Sequence, residues 1–246
     1  MKHSLVFVCA FLCISTIACS QPTSGFKSPE AVVNYFVQNL KNGNFENVIK
    51  TSAFNYDRII DKIDAKEMGK RLMSIQLMTP FNVPKQYHSI IKLRALSQHA
   101  FNLQLLVSSL LLPEQFNDFL QAKPIMLSGN EQLLETYLSS LEDIKKLNSL
   151  EFIRMDISNP EIQFSDAYKN NIERQKITYG FDEQVEYTVL YKFNNQYYVG
   201  GFIFARYGID WYISNYSAIL ANQSALGYLE KISGINEYLY EYDIKK

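Results

Sequence analysis

Apolar positions along this chain change period near residue 150, from a helical repeat before it to a two-residue alternation after it. Ser28 stands where a helix cap belongs, Pro29 fits the first helical position, and Glu30 suits the positive end of the dipole. Ala31, Val32, Tyr35, Phe36, Asn39 and Leu40 then recur on one face, with Val33 and Val37 widening it. Gly43 supplies the left-handed stop. A second helix is predicted from Phe45 to about Ala53, and a third from Arg58 to Leu77 with a break near Asp64. Residues 78–150 read almost wholly as helix. Thr79-Pro80 and Val83-Pro84 punctuate its start, and a long helix begins near Tyr87 and runs through Leu112. Pro113 opens a short helix with Phe116, Phe119 and Leu120 inward, and a last helix covers Glu131 to Leu147.

Beyond residue 150, Glu151 to Ile157 is a candidate strand, stopped by Ser158-Asn159-Pro160. Residues 161–182 stay ambiguous between a helix around Asp166 to Arg174 and an ordered loop. Val185, Tyr187, Val189, Tyr191 and Phe193 alternate with Glu186, Thr188, Leu190 and Lys192, as a strand with one buried face requires. Asn194-Asn195 reads as a two-residue hairpin turn, because asparagine tolerates positive φ. The return strand spans Gln196 to Arg206, and Gly208-Ile209-Asp210 turns into Trp211 to Tyr216. The pattern predicts an α+β fold, with N-terminal and central helices followed by a C-terminal antiparallel meander. Residues 28–246 form one domain in this reading.

Composition narrows the function classes. The 246 residues are 47% hydrophobic and 14% aromatic, which is enough apolar surface to fill a core. Thirteen of the seventeen tyrosines follow residue 150, in keeping with aromatic enrichment in strands. Lys+Arg is 24 and Asp+Glu is 25, so no basic excess recommends a nucleic acid partner.

At the N-terminus, Lys2 precedes an apolar run of ten residues, Leu5 to Ile14, too short to span a bilayer. The order Thr16-Ile17-Ala18-Cys19 resembles a bacterial lipobox, in which the cysteine is lipidated; Thr16 stands where that pattern prefers Leu. Residues 1–19 are therefore expected to be a signal peptide with Cys19 as the lipidation site, followed by a flexible tether over 20–27. Ordinary cleavage after Ala18 or Ser20 is the alternative. Cys9, Cys13 and Cys19 all belong to this leader, so disulfides, thiolate metal sites and a cysteine nucleophile are excluded from the mature body. Losing Lys2 leaves 23 basic against 25 acidic residues, a net charge of −2.

Two segments are similar to a known family. Ser28-Pro29-Glu30-Ala31-Val32-Val33-Asn34-Tyr35-Phe36, with Leu40-Lys41-Asn42-Gly43-Asn44-Phe45, resembles the opening of the nuclear-transport-factor-like (cystatin-like) superfamily. Gly208-Ile209-Asp210-Trp211-Tyr212-Ile213 is similar to the strand that closes many of its sheets, and Asn44 replaces its more usual Asp. The resemblance implies that the N-terminal and central helices pack on a curved antiparallel sheet, forming a cone with an apolar pocket; residues 78–150 exceed that family's pattern and would be a helical insertion or subdomain. In its isomerase and dehydratase members a carboxylate stands inside the cone.

Candidate chemistry is sparse. His88 and His99 are separated by about 16 Å along one helix, too far to share a metal, and read as hydrogen-bonded structural histidines. Glu186 lies opposite the Val185/Tyr187/Val189 set, so period two sends it to solvent. Asp210 reads as a turn residue. Neither is assigned a catalytic role, and no cofactor or metal site is assigned. Gly200-Gly201 lacks the strand-to-helix context of a phosphate loop and reads as a bulge or sharp bend. Phe101 to Leu112 is the most apolar helical window and is expected to be buried. Tyr238 to Tyr242 is either a final strand or an exposed tyrosine ladder.

These readings favour an exported, lipid-anchored protein of the bacterial envelope, held to the membrane through that anchor. Its expected role is non-catalytic binding of a small apolar ligand or a protein partner. A cofactor-free isomerase or hydrolase using a carboxylate in the cone is one alternative. A structural or assembly subunit of an envelope complex is another.

Overall fold

Ser28 caps the first helix: its Oγ accepts the Ala31 amide at 3.1 Å, and α1 runs Pro29–Lys41. The computed structural model describes residues 25–64, 84–113, 116, 129–221 and 227–238. The leader with Cys19, the first part of the tether, the helix predicted beyond Asp64 and most of the segment after Pro113 lie outside the described residues. So do Tyr240 and Tyr242.

After α1 comes α2, Phe45–Ile49, which stops earlier than the sequence pattern suggests. Thr51 and Ser52 leave the helix because their backbone is claimed by the sheet. Ile213 N donates to Thr51 O at 2.8 Å, and Ser52 forms a bridge with Ile213. A 3₁₀ turn at Ala53–Asn55 and the short α3, Asp57–Ile60, follow. The long helix α4 spans Pro84–Leu111. Leu103, Leu105, Leu106, Leu110 and Leu111 are buried in it, while Phe101 is exposed. Among the described residues no helix is long and apolar enough to cross a membrane. The last helix before the sheet, α5, ends at Glu142 rather than Leu147 (Glu131–Glu142). Asp143 is non-helical there, and a 3₁₀ turn at Ile144–Ser149 carries Leu147 and Leu150 into full burial beside α1.

The sheet begins with β1, Glu151–Ile157. Two helices fill the ambiguous stretch: α6, Pro160–Gln163, and α7, Asp166–Tyr179, the latter capped by Ser165 and stopped by Gly180 at φ +67°. Then β2 (Glu183–Phe193), β3 (Gln196–Tyr207) and β4 (Asp210–Asn215) form the expected antiparallel meander, in the order β1-β2-β3-β4. Asn194 and Asn195 both have positive φ, as the two-residue hairpin requires. β5, Glu230–Ile232, shares the outer edge of β3 with β4. A short helix, α8, spans Ile235–Tyr238, so Tyr238, the first residue of the candidate C-terminal strand, is helical. Tyr238 is fully buried, and its hydroxyl donates to Asp156 at 2.7 Å.

The result is an α+β fold with a curved open sheet covered on both faces. Val189, Tyr191, Phe202, Phe204 and Ile213 face α1, where Val32, Val33, Phe36, Val37 and Leu40 fill the space against them. Phe36 and Phe202 meet edge to face at 5.6 Å. No bulge occurs at Gly200-Gly201, because pairing runs unbroken through Val189↔Gly200 and Thr188↔Gly201. These glycines serve close approach instead. A Cβ on Gly201 would stand 2.8 Å from Ala221 Cβ and 2.9 Å from Ala218 Cβ, so the segment around Ala218 and Ala221 packs directly on the strand. Of the tether expected at 20–27, Phe26 is buried and its carbonyl accepts the Trp211 amide at 2.7 Å.

Candidate functional site

β1 ends at Ile157, paired with Tyr187, so the next residue of β2, Glu186, would present an open peptide edge. Gln163 of α6 closes it. The Gln163 Nε2 donates to Glu186 O at 2.7 Å, and the Glu186 amide donates to Gln163 Oε1 at 3.0 Å. Ser158 N donates to the same carbonyl at 2.9 Å. Gln163 is itself buried, so this amide clamp holds the Glu186 backbone in one place.

The side chain of Glu186 points to the face opposite Val189, as period two dictates, but it does not reach solvent: it is 6% exposed. The expectation failed because α7 lies over that face. Tyr168, Ile172, Gln175 and Tyr179 recur at intervals of four, three and four, which places them on one side of α7, turned to the sheet. Tyr168 donates its hydroxyl proton to Glu186 Oε1 at 2.7 Å, and Leu220 N donates to Oε2 at 3.2 Å. The Gln184 side chain in turn hydrogen-bonds the Tyr168 hydroxyl. Burial, reinforced by the bond to Glu186, pushes that hydroxyl's pKa well above its ordinary value.

Between α7 and the sheet lies a cavity of about 390 Å³. Glu186 and Gln184 line it from β2, Ile203 and Tyr207 from β3, and Ser214 and Asn215 from β4. Phe54, Phe181 and Leu220 complete the wall opposite the α7 stripe. The size and the mix of apolar walls with a few convergent polar groups suit a small-molecule site. On the α1 side Phe36, Phe202 and Tyr216 pack against one another, and this cavity lies on the other face of the sheet from the one the resemblance implies.

His99 sits behind this wall, 3% exposed. Its Nε2 is 3.0 Å from Ser214 O, which only accepts, so Nε2 carries the proton and Nδ1 accepts from the Ser52 hydroxyl at 2.7 Å. Burial pulls the ring's pKa down to about 4, against the opposing bond to Ser214. Ser52 is wholly enclosed and its Oγ also accepts the Phe54 amide, so the pair presents no nucleophile to a substrate. His88 reaches Ile63 O at 3.2 Å and Asp61 at 3.6 Å. Both histidines thus fasten α4 to the segment between α2 and residue 64. Among the described residues no group of three or more His, Cys, Asp or Glu is placed to hold a metal.

Asp210 is not a turn tip but the first residue of β4, 5% exposed, with Lys27 at 3.3 Å and Arg58 at 3.1 Å. Burial works against its charge, yet the bonds from Arg58 and Lys27 prevail and hold its carboxyl below the usual range. Arg58 also meets the Tyr212 hydroxyl, and its guanidinium lies over the Tyr56 and Tyr212 rings. That cluster ties the N-terminal segment to β4 and forms no part of the cavity wall. Of the two carboxylates singled out from sequence, Glu186 alone lines the cavity. The sequence pattern does not single out Gln163, Tyr168 or Gln184; the Tyr168/Ile172/Gln175/Tyr179 spacing is the signal that points to this face of α7.

No family model matches the chain, and no curated protein matches it. Among solved structures, the chain is similar to the crystal structure of a cystatin-like protein from Ruminococcus gnavus ATCC 29149, with a TM-score of 0.45 and 15% identity, over 83% of this chain and 44% of that one.

Proposed function

We propose that this chain is an exported, lipid-anchored envelope protein that binds a small, largely apolar ligand between α7 and the sheet. The observation that carries the reading is the cavity of about 390 Å³, walled by Phe54, Ile172, Phe181, Ile203 and Tyr207 with Glu186 fixed in its side. Rigid aromatic and aliphatic walls supply affinity, and one anchored carboxylate supplies orientation. The export and anchoring half of the proposal is supported by Lys2, the apolar run from Leu5 to Ile14 and the Thr16-Ile17-Ala18-Cys19 order.

Glu186 also favours a second reading, an isomerase or hydrolase with this carboxylate as base. Binding is the better supported of the two. Both Glu186 oxygens already accept hydrogen bonds, the Tyr168 proton is held tightly, and His99 has both nitrogens engaged behind the wall. No partner group stands ready to complete a proton-transfer pair among the described lining residues. Of the tyrosines offered for an assembly edge, Tyr238 is buried.

Ile203→Trp tests the pocket by filling it. Small apolar probes that raise the melting temperature of the wild type are expected to lose that effect in a folded Ile203→Trp variant. Probes that stabilise both equally would refute a ligand site here. Cys19→Ala tests the anchor: the wild type is expected to carry acyl chains by intact mass and to fractionate with membranes, and the variant to do neither. Identical behaviour of the two proteins would end the lipoprotein reading.

A further inference from the structure

Resting on that pocket reading, we infer that the ligand carries a positive charge: the site takes a small organic ammonium compound, with the cation held between Glu186 and the aromatic wall. Among the described lining residues are five rings, those of Phe54, Tyr168, Tyr179, Phe181 and Tyr207, with Glu186 as the one carboxylate. No Lys, Arg or His belongs to the described lining residues. A carboxylate offers about four acceptor positions. Tyr168 and Leu220 occupy two of those on Glu186, which leaves acceptor capacity for a ligand donor or cation.

Charge selection follows from this lining. An anionic ligand would have to approach a buried carboxylate with no cation in the wall to compensate, which is strongly unfavourable in a low-dielectric site. A neutral apolar ligand would leave Glu186 with unmet acceptor capacity. An alkylammonium group meets both requirements, because ring faces attract cations through their quadrupole and the carboxylate neutralises the charge. His99, the nearest imidazole behind the wall, remains neutral at physiological pH and places no opposing charge there. One ring of the wall already hosts an ammonium: Lys62 Nζ lies 5.6 Å from the Tyr207 centroid, which leaves the other four rings to meet the ligand.

Three probes of matched shape separate the alternatives: choline, its neutral carbon isostere 3,3-dimethylbutan-1-ol, and the anion 3,3-dimethylbutanoate. Saturation-transfer NMR and calorimetry on the wild type are expected to show choline binding roughly tenfold more tightly than the neutral isostere, with no saturable binding of the anion. Glu186→Gln, similar in shape, is expected to remove the preference for the cation. A neutral isostere that binds as well as choline to the wild type overturns the inference without any variant. So does a Glu186→Gln protein that keeps the preference. In both cases the pocket reading stands, provided that Ile203→Trp abolishes binding of the isostere. Absence of saturable binding by all three probes, or binding untouched by Ile203→Trp, overturns the pocket reading as well.

Discussion

The Tyr168 hydroxyl donates to Glu186 Oε1 across 2.7 Å, joining the first turn of α7 to the middle of the sheet through a buried carboxylate. The bond is one of the contacts that hold α7 over the sheet, beside the packing of Ile172 and Tyr179 on Ala205 and Tyr207. Removing the donor without changing the ring isolates its contribution. Tyr168→Phe is expected to destabilise the protein by about 1.5–2 kcal/mol, the lower part of the range for bonds to charged groups, because cavity water can replace the lost donor. Urea unfolding measures it. In a double-mutant cycle with Glu186→Gln the two losses should be less than additive, since both variants weaken one bond.

The His99 ring makes folding sensitive to acid. Its pKa falls from 6.5 to about 4 on folding, so at intermediate pH the unfolded chain binds the extra proton and the folded chain does not. Stability from this group is complete above the unfolded value and is lost as pH drops from 6.5 towards 4, by about 3 kcal/mol in all. Urea midpoints measured from pH 7.5 to 4.5 should trace that fall. His99→Gln, which retains a donor and an acceptor, should be less stable at neutral pH yet flatter across this window. An equally steep wild-type and variant profile would assign the acid sensitivity elsewhere.

How far the sequence reveals this architecture depends on how local each signal is. Ser28, Pro29 and Gly43 bracket α1 because caps act within one turn, and Asn194-Asn195 marks the hairpin because positive φ is a property of those two residues. The alternation at Val185–Phe193 assigned Glu186 to the correct face. It does not reveal whether another element lands on that face, which is decided by residues far along the chain. The covering helix was hard to read, since its inward stripe mixes Tyr168, Ile172 and Tyr179 with Gln175 amid lysines and asparagines. Gln163 gave no signal either: its partner is the backbone of Glu186, and no pattern of side chains records a backbone partner.

Gly201 shows the difference between steric and conformational need. Gly201→Ala would force a Cβ to 2.8 Å from Ala221 Cβ and 3.2 Å from Ala218 N, so the segment around Ala218 and Ala221 must lift off the strand. The expected cost is about 1–3 kcal/mol, typical of overpacking. Gly208→Ala meets nothing within 4 Å, but its φ of +68° is unfavourable for alanine, at about 1 kcal/mol. Thermal melts should therefore rank Gly201→Ala below Gly208→Ala. Because Leu220 N, on that same segment, is a donor to Glu186, Gly201→Ala should also weaken ligand binding, whereas Gly208→Ala should not.

Gln163 provides the sharpest test of how the site is held. Gln163→Leu preserves volume but leaves the Glu186 amide and carbonyl short of their buried partner, at an expected cost of about 2–3 kcal/mol. Gln163→Glu keeps an acceptor for the Glu186 amide while losing the donor to the Glu186 carbonyl, and it buries a second carboxylate nearby. It should be the worse of the two. Hydrogen exchange gives a readout that lost packing alone would not produce. The Glu186 amide should exchange much faster in Gln163→Leu and stay protected in folded Gln163→Glu, although the second variant is less stable overall. Equal protection of that amide in wild type and Gln163→Leu would show that α6 fills space beside the strand without positioning Glu186.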